Sequence, residues 1–503
     1  MTAKIEFCTS KHSVRRRTCI ARPAAVLGIM FWAVALAAGE TSSASDAISS
    51  VKAEQAVDWP VFLGPSGDGK SPERGVFFDW PAEGPPVLWH KRLGVSYGIC
   101  SIHRGRLYQF DRFDDNARLT CMDARSGDEV WRFEYPTDYS DMYGYNGGPR
   151  CSPLVDGERV YLYGAEGMVH CVQAADGKLL WRVDTRAKFG VVQNFFGVGS
   201  NPVVDGPLLI AMVGGSPPES QHIPPGNMER VVGNGSGIVA FDKRTGNVVY
   251  SITDELASYA SLKLATIHGR RWCFAFARSG LVGFEPATGQ VDFHYPWRAK
   301  LLESVNASVP VVAHDEVFIS ETYGPGSSLL RVRPGGCDVV WRDELRDRQK
   351  TMLAHWNTPI VVGDYLYGCS GRHTYNADLR CIEWRTGKRM WTAERTTRTS
   401  LLYVDGHFIS LGEFGQLIVF KANPLKFEPV AVLPEGALKA ETGEPLLNYP
   451  CWAAPVLAQG LLYVRGNDHL VCLDVTPAVP AADARGPARR PADGPGDPAR
   501  STD

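Results

Sequence analysis

The sequence predicts an all-β fold, an eight-bladed β-propeller with four-stranded antiparallel blades and a strand from the N-terminal side closing the ring. Three observations predict it. One pattern returns along the chain, as CMDARSGDEVW (121–131), CVQAADGKLLW (171–181), AFDKRTGNVVY (240–250), GFEPATGQVDF (283–293) and CIEWRTGKRMW (381–391). Strand pairs precede each copy in the same order. The last unit stops one strand short, while the segment before the first unit has a strand to spare.

Residues 151–181, CSPLVDGERVYLYGAEGMVHCVQAADGKLLW, show one whole unit. The run SPLV meets an Asp-Gly turn, VYLYG alternates up to Glu166-Gly167, MVHCV alternates again, and Asp176-Gly177 turns into LLW. These are four short strands joined by hairpin turns. First strands begin near residues 98, 150, 200, 261, 307, 357, 400 and 453. The span 86–475 divides into eight units of about 49 residues, a period that indicates a propeller or solenoid. In the five quoted copies the turn glycine permits positive φ and an aromatic four residues later lies on the fourth strand, the place that Trp341 takes in the fifth unit. These blade-docking aromatics are Trp131, Trp181, Tyr250, Phe293, Trp341 and Trp391. In the seventh unit Asn423 replaces the glycine and Phe427 takes the aromatic place. Each ring fills a wedge between sheets and buries on the order of 150–250 Å². Unit eight ends at VCLDV (471–475), so residues 86–93, carrying Trp89, supply its outer strand. Closure removes a sheet edge that invites aggregation. Residues 57–85 form an N-terminal strap, expected across the outside.

The flanks read differently. Lys11 and Arg15 to Arg17 precede an apolar stretch at 24–38 that contains Ala35-Leu36-Ala37. This reads as a signal peptide over 1–38, followed by a flexible linker over 39–56. The stretch is short of the roughly 20 residues a span needs, so no transmembrane span is expected in the mature protein. The signal implies export, to the periplasm or the outside, and the pattern does not separate Sec from twin-arginine export. Residues 476–503 are rich in Pro and Ala with few large apolar residues, the composition of a disordered tail. The 503 residues carry a formal charge of -2, which gives no electrostatic case for nucleic acid. The product is expected to be a monomer.

The acid-x-x-Thr/Ser-Gly-x-x-x-Trp pattern resembles the tryptophan-docking repeat of PQQ-like (quinoprotein-type) eight-bladed propellers, over residues 86–475. That family has a dehydrogenase branch, using PQQ with Ca²⁺, and a non-catalytic branch that includes the outer-membrane assembly lipoprotein BamB. The segments WPVFLGPSGDGKS (59–71) and FDWPAEGPPVLWHKRLG (78–94) look like the lead-in of exported PQQ-like proteins of the second branch. The resemblance to dehydrogenases would imply adjacent cysteines or a C-x-x-C-H haem site, and the sequence has neither. It would also imply a Ca²⁺ site, for which Glu166, Glu321 and Glu413 are candidate carboxylates in second-to-third-strand turns, where exposed acids are ordinary. No catalytic, cofactor or metal residue is assigned.

Cys121, Cys171, Cys381 and Cys472 hold one third-strand position and behave as small buried hydrophobes. Cys100, Cys151 and Cys451 fall near the first strands of units that neighbour one another in a closed ring, where a disulfide is geometrically open.

In an antiparallel blade the fourth-to-first and second-to-third connections emerge on one face. The least repetitive sequence falls there: 143–150, 191–201, 302–308, 353–358 and 447–452, with long loops at 214–237, 321–328 and 371–378. Loops that break a repeat are where binding resides. The candidate binding face comprises Tyr145, Asn146, Arg150, Asn194, His355, Trp356, Asn357 and Trp452. The expected function is a non-catalytic scaffold presenting this face to a protein or small-molecule ligand. The alternatives are a PQQ-dependent alcohol or sugar dehydrogenase, and a polysaccharide-binding propeller whose aromatics stack on sugar rings.

Overall fold

A computed structural model describes residues 57–477. The expected signal peptide and linker, and all but the start of the expected tail, lie outside the described residues.

Eight antiparallel sheets of four strands follow one another in chain order. Their first strands begin at Ser101, Leu154, Val203, Lys263, Val311, Ile360, Thr399 and Val456, within four residues of the sequence-based starts. Blades one to eight are numbered from these strands. The ring closes as the repeat requires: Val87–Arg92 pairs antiparallel with His469–Asp474, placing Trp89 opposite Cys472. Blade one is also held to blade eight by a buried ion pair, Arg465 Nη1 to Asp111 Oδ1 at 3.2 Å.

The repeated aromatic has a specific task. Trp131 donates its indole N–H to the carbonyl of Ala174 in the next blade at 3.2 Å, Trp181 to Lys243 at 3.2 Å, and Trp391 to Asn423 at 2.8 Å. Trp341 does the same to Trp384, Tyr250 through its hydroxyl to Pro286, and Trp89 to Ala124 across the closure. Each ring lies on the third-to-fourth turn of the following blade. The turn glycine is therefore needed twice over. Gly177 has φ +73° and a Cβ there would stand 2.5 Å from the Trp131 ring; Gly246 has φ +73° and would meet Trp181 at 2.7 Å. In all eight blades the register between third and fourth strands shifts beside the aromatic position, a bulge that turns the residue there toward its neighbour.

Two of the eight aromatics depart from this plan. Phe293 has no polar atom to offer, and the link to blade five is made instead by Asp292, which accepts the Gly335 N–H at 2.8 Å. Phe427 is not a blade-docking residue. It precedes the fourth strand, Pro429–Leu433, and packs back on Trp391 with ring centroids 5.6 Å apart. The docking position, opposite Val419, is Ala431. The turn here is two residues longer than in blade one, where Cys121 faces Trp131, so counting from the turn selects the wrong residue. Trp80, buried in the same cluster as Ala431, Leu433 and Leu457, provides a large ring on this seam.

The strap expected on the outside runs largely within the ring. Trp59 exchanges backbone hydrogen bonds with Ile102 on blade one, and Pro60 accepts from Val155 on blade two. Lys263 on blade four donates to the carbonyls of Ser66 and Gly67 at 2.8 and 2.7 Å. Lys70–Ser71 adds a parallel fifth strand to the inner edge of blade seven, and the Glu73 carboxylate accepts the Gln459 and Gly460 N–H groups of blade eight. Burying Trp59 to 1% exposure and pairing an inner sheet edge favour this path over one across the outer strands. Only the part after about residue 76 reaches the seam between blades seven and eight, where Phe77 N–H donates to Val475.

All ten described cysteines are free thiols, nine of them buried, including Cys100, Cys151 and Cys451. Burial raises the Cys100 and Cys451 thiols to about 12, so they are inert packing groups. Among the described residues no helix is long and apolar enough to cross a membrane.

Candidate functional site

The inner strands leave a channel, and the 57–76 segment occupies it from the side of the first-to-second-strand turns. What remains is a cavity of about 700 Å³, with Phe62 and Leu63 of that segment among its lining residues. It is bounded otherwise by the loops before first strands and between second and third strands, the face singled out by sequence.

Six of the eight candidate residues line it: Tyr145, Arg150, His355, Trp356, Asn357 and Trp452. Asn146 and Asn194 do not. The Asn146 side chain caps the Gly148 N–H, and its carbonyl accepts from Arg150 at 2.9 Å. Asn194 is buried, donating to the carbonyl of Ala257. Both follow the ordinary use of Asn in turns, to satisfy local backbone. The long 214–237 loop also stays out of this cavity. It folds on its own small core of Ile223, Met228 and Val231 with Val192 and Leu256, and Glu229 ties it to Arg278 and Arg298.

The walls are aromatic rings and guanidinium groups. Trp452 and Trp356 lie with centroids 4.9 Å apart, and Tyr97 is 5.1 Å from Trp452. The Arg398 guanidinium sits over both indoles, at 4.6 Å from Trp356 and 5.2 Å from Trp452, favourable against the negative ring faces. Glu413 neutralises it: Arg398 Nε donates to Glu413 Oε2 at 2.9 Å, and the Trp452 indole N–H donates to the same oxygen. Burial pushes the Glu413 carboxyl up, but Arg398 outweighs this and holds it below the usual range. Arg150 is spent likewise, on Asp141 at 2.6 Å. Arg372 lies 4.3 Å above the Tyr323 ring, and among the described residues no acceptor takes a hydrogen bond from its guanidinium.

His355 is wedged between Tyr323 and Trp356. Its Nε2 is 3.3 Å from the Tyr323 hydroxyl, and its buried Nδ1 has no partner. Burial first, then Arg398 and Arg372, push its pKa down to about 3. It is a neutral hydrogen-bonding group at physiological pH, and among the described residues its ring's hydrogen-bond contact is the Tyr323 hydroxyl.

None of the carboxylates expected to be exposed is exposed: Glu321 and Glu413 are buried, Glu166 is half-buried, and all three are engaged. Glu413 is 0% exposed. Glu321, at 1%, accepts from Ser304 at 2.9 Å. Glu166 accepts from Tyr135 and Thr137. Each sits in a second-to-third turn that folds inward under the loop before the next blade, a placement the local sequence does not signal.

Sequence reasoning passed over Arg372, Arg398, Tyr97 and Tyr323. Arg398 stands immediately before a first strand, the same position as the chosen residues, so that rule applied to blade seven would have found it. Arg372 and Tyr323 lie in loops that were singled out. Nothing in the sequence pointed to Phe62 and Leu63, because their role depends on where a distant segment passes.

An eight-bladed ring of tryptophan-docked sheets around a loop-lined cavity defines a PQQ-like propeller. The chain belongs to the family described as outer membrane protein assembly factor BamB, whose matches cover residues 86–216, 115–392 and 295–423. It is 21% identical over 276 residues to the BamB of Moranella endobia (strain PCIT). That alignment takes in 54% of this chain and 64% of the relative, so the chain spans just under two thirds of that protein's length. In structure it resembles BamB from Moraxella catarrhalis (TM-score 0.50, 12% identity, 77% of this chain and 96% of the other). It also resembles the quinohemoprotein alcohol dehydrogenase of Comamonas testosteroni (TM-score 0.57, 13% identity, 90% and 84%). At these identities the structural likenesses speak for the fold alone.

Proposed function

We propose that the protein is an exported, monomeric, non-catalytic binding scaffold that takes its ligand or partner at the channel mouth. The observation that carries this reading is the cavity itself, walled by Tyr145, Trp356, Trp452 and arginines. Aromatic and Arg anchors in a concave site are the composition of a recognition surface. The face residues Arg150, His355 and Trp356 are proposed to contact what binds there. Export rests on the N-terminal sequence and the kinship with BamB.

The dehydrogenase reading fits less well. Of the three candidate carboxylates, Glu413 is saturated by Arg398 and Trp452, and Glu166 and Glu321 face other partners outside the cavity lining. The residues present do not fit a Ca²⁺-bound quinone, and no cofactor is proposed. Titration of the full chain with PQQ and Ca²⁺, followed by dye reduction with alcohols and sugars, is expected to give no turnover. Turnover above the free-cofactor blank refutes the reading. Alanine at Arg150, His355 and Trp356 together is expected to abolish affinity capture of whatever the wild type retains. Unchanged capture removes this face from the proposal.

A further inference from the structure

The chemistry of the mouth narrows the ligand, and the narrowing rests on the binding reading just given. Two features are unspent. One is a track of rings. Tyr145, 57% exposed, stands edge-on to Trp452 at 6.1 Å. Trp452 leads to Trp356 at 4.9 Å, Trp356 to His355 at 4.7 Å, and His355 to Tyr323 at 5.7 Å. The track therefore runs from the exposed rim to Tyr323. The other is charge. Arg150 and Arg398 are neutralised by Asp141 and Glu413, whereas the Arg372 guanidinium, over Tyr323 at the end of the track, has no carboxylate partner among the described residues. A planar five-donor fork left free beside a cavity suits a carboxylate, which it can bind bidentately.

We infer that the cavity takes the end of an acidic oligosaccharide, a uronate ring whose carboxylate lies on Arg372 and whose following sugars pack their C–H faces along the ring track. A sugar ring presents an apolar face to an aromatic and hydroxyls at its edge, matching walls that combine ring faces with phenol and imidazole groups. A peptide matches less well. Its backbone N–H groups need acceptors, and the only carboxylate in the cavity lining is Glu303 at the exposed rim.

Calorimetry on the full chain tests this with trimers of galacturonate, mannuronate and glucuronate, the matching neutral trisaccharides, and an acidic hexapeptide. At least one uronate trimer is expected to bind ten-fold or more tightly than its neutral counterpart. Arg372→Gln is expected to cost that trimer ten-fold or more while leaving the neutral sugar's affinity unchanged, and Arg372→Lys to recover part of the loss. Near-UV circular dichroism checks that the variants are folded. Equal binding of neutral and acidic trimers, equal loss of both in Arg372→Gln, tighter binding of the hexapeptide, or no binding of any uronate overturns the inference. In each of those cases loss of capture by the Arg150, His355 and Trp356 variant still supports the wider reading, so the two fail separately.

Discussion

The outer seams and the channel mouth use the same residue types in opposite ways. At six seams a Trp or Tyr docks on the next blade and donates its one polar hydrogen to a backbone carbonyl there. At the mouth, Trp356 and Trp452 turn their faces to each other and to Arg398, and Tyr145 leaves most of its surface in water. A ring fixed by a backbone partner and a glycine-shaped bed is committed to holding the circle together. One whose neighbours are other rings and cations keeps its surface for something else. The contrast separates docked from undocked aromatics by their partners, where burial alone would not.

The largest expected effect comes from a seam. Trp131→Ala removes a ring lying on Gly177 and a hydrogen bond to Ala174, and is expected to cost about 3–5 kcal/mol, the range for Trp truncation in a packed site. Phe427→Ala, at the residue that only mimics the motif, is expected to cost less, about 1–2 kcal/mol, because Trp391 keeps its own bond to Asn423. Urea denaturation of the two variants decides. Equal losses would show that Phe427 wedges its blades as Trp131 does.

The same contrast sets what the sequence could disclose. The seams repeat, so the positions of Trp131, Trp181, Tyr250 and Trp391 were legible from the glycine offset, and those of Trp341 and Trp89 from strand order and the closing strand. Blade seven broke the rule because its longer turn moved the docking position to Ala431. The mouth does not repeat, and there sequence gave loops more reliably than residues. It found Trp356 and Trp452, passed over Arg372, and included Asn146 and Asn194, which serve local backbone. A ring assembled from five or more blades has neighbours set by closure, and no local pattern encodes which side chains then meet. The path of residues 57–76 through the channel is illegible for the same reason.

A smaller effect lies where the two regions meet. Glu321 is buried just beneath the mouth, in the turn that presents Tyr323, and one of its oxygens has no partner. Burial raises its pKa to about 7, outweighing the hydrogen bond from Ser304. Its folded value lies above the ordinary glutamate value of about 4.5, so the folded state holds the proton more tightly. Its contribution to stability is therefore fully present below about pH 4.5 and is lost as pH rises through 7, by about 3 kcal/mol in all. Glu321→Gln mimics the protonated form. The variant is expected to be more stable than wild type at pH 8 by about 2 kcal/mol and equal to it at pH 4.5, measured by denaturant midpoints across that window. A variant less stable at pH 8 would mean that the carboxylate is charged and satisfied in the fold.

The smallest effect is the sharpest test of the contrast. Tyr145 meets Trp452 and Phe196 only edge-on, at 6.1 and 5.8 Å. Edge-to-face pairs contribute about 0.5–1.5 kcal/mol when packed, but more than half of this side chain is in water before and after folding, so little of that remains. Tyr145→Ala is expected to change stability by no more than about 0.5 kcal/mol, the usual range for exposed positions. It removes the first ring of the track, so binding at the mouth should weaken while the denaturation midpoint stays fixed. A loss of stability approaching that of Trp131→Ala would place Tyr145 with the seam rings, and the distinction between committed and available aromatics would fail at its clearest instance.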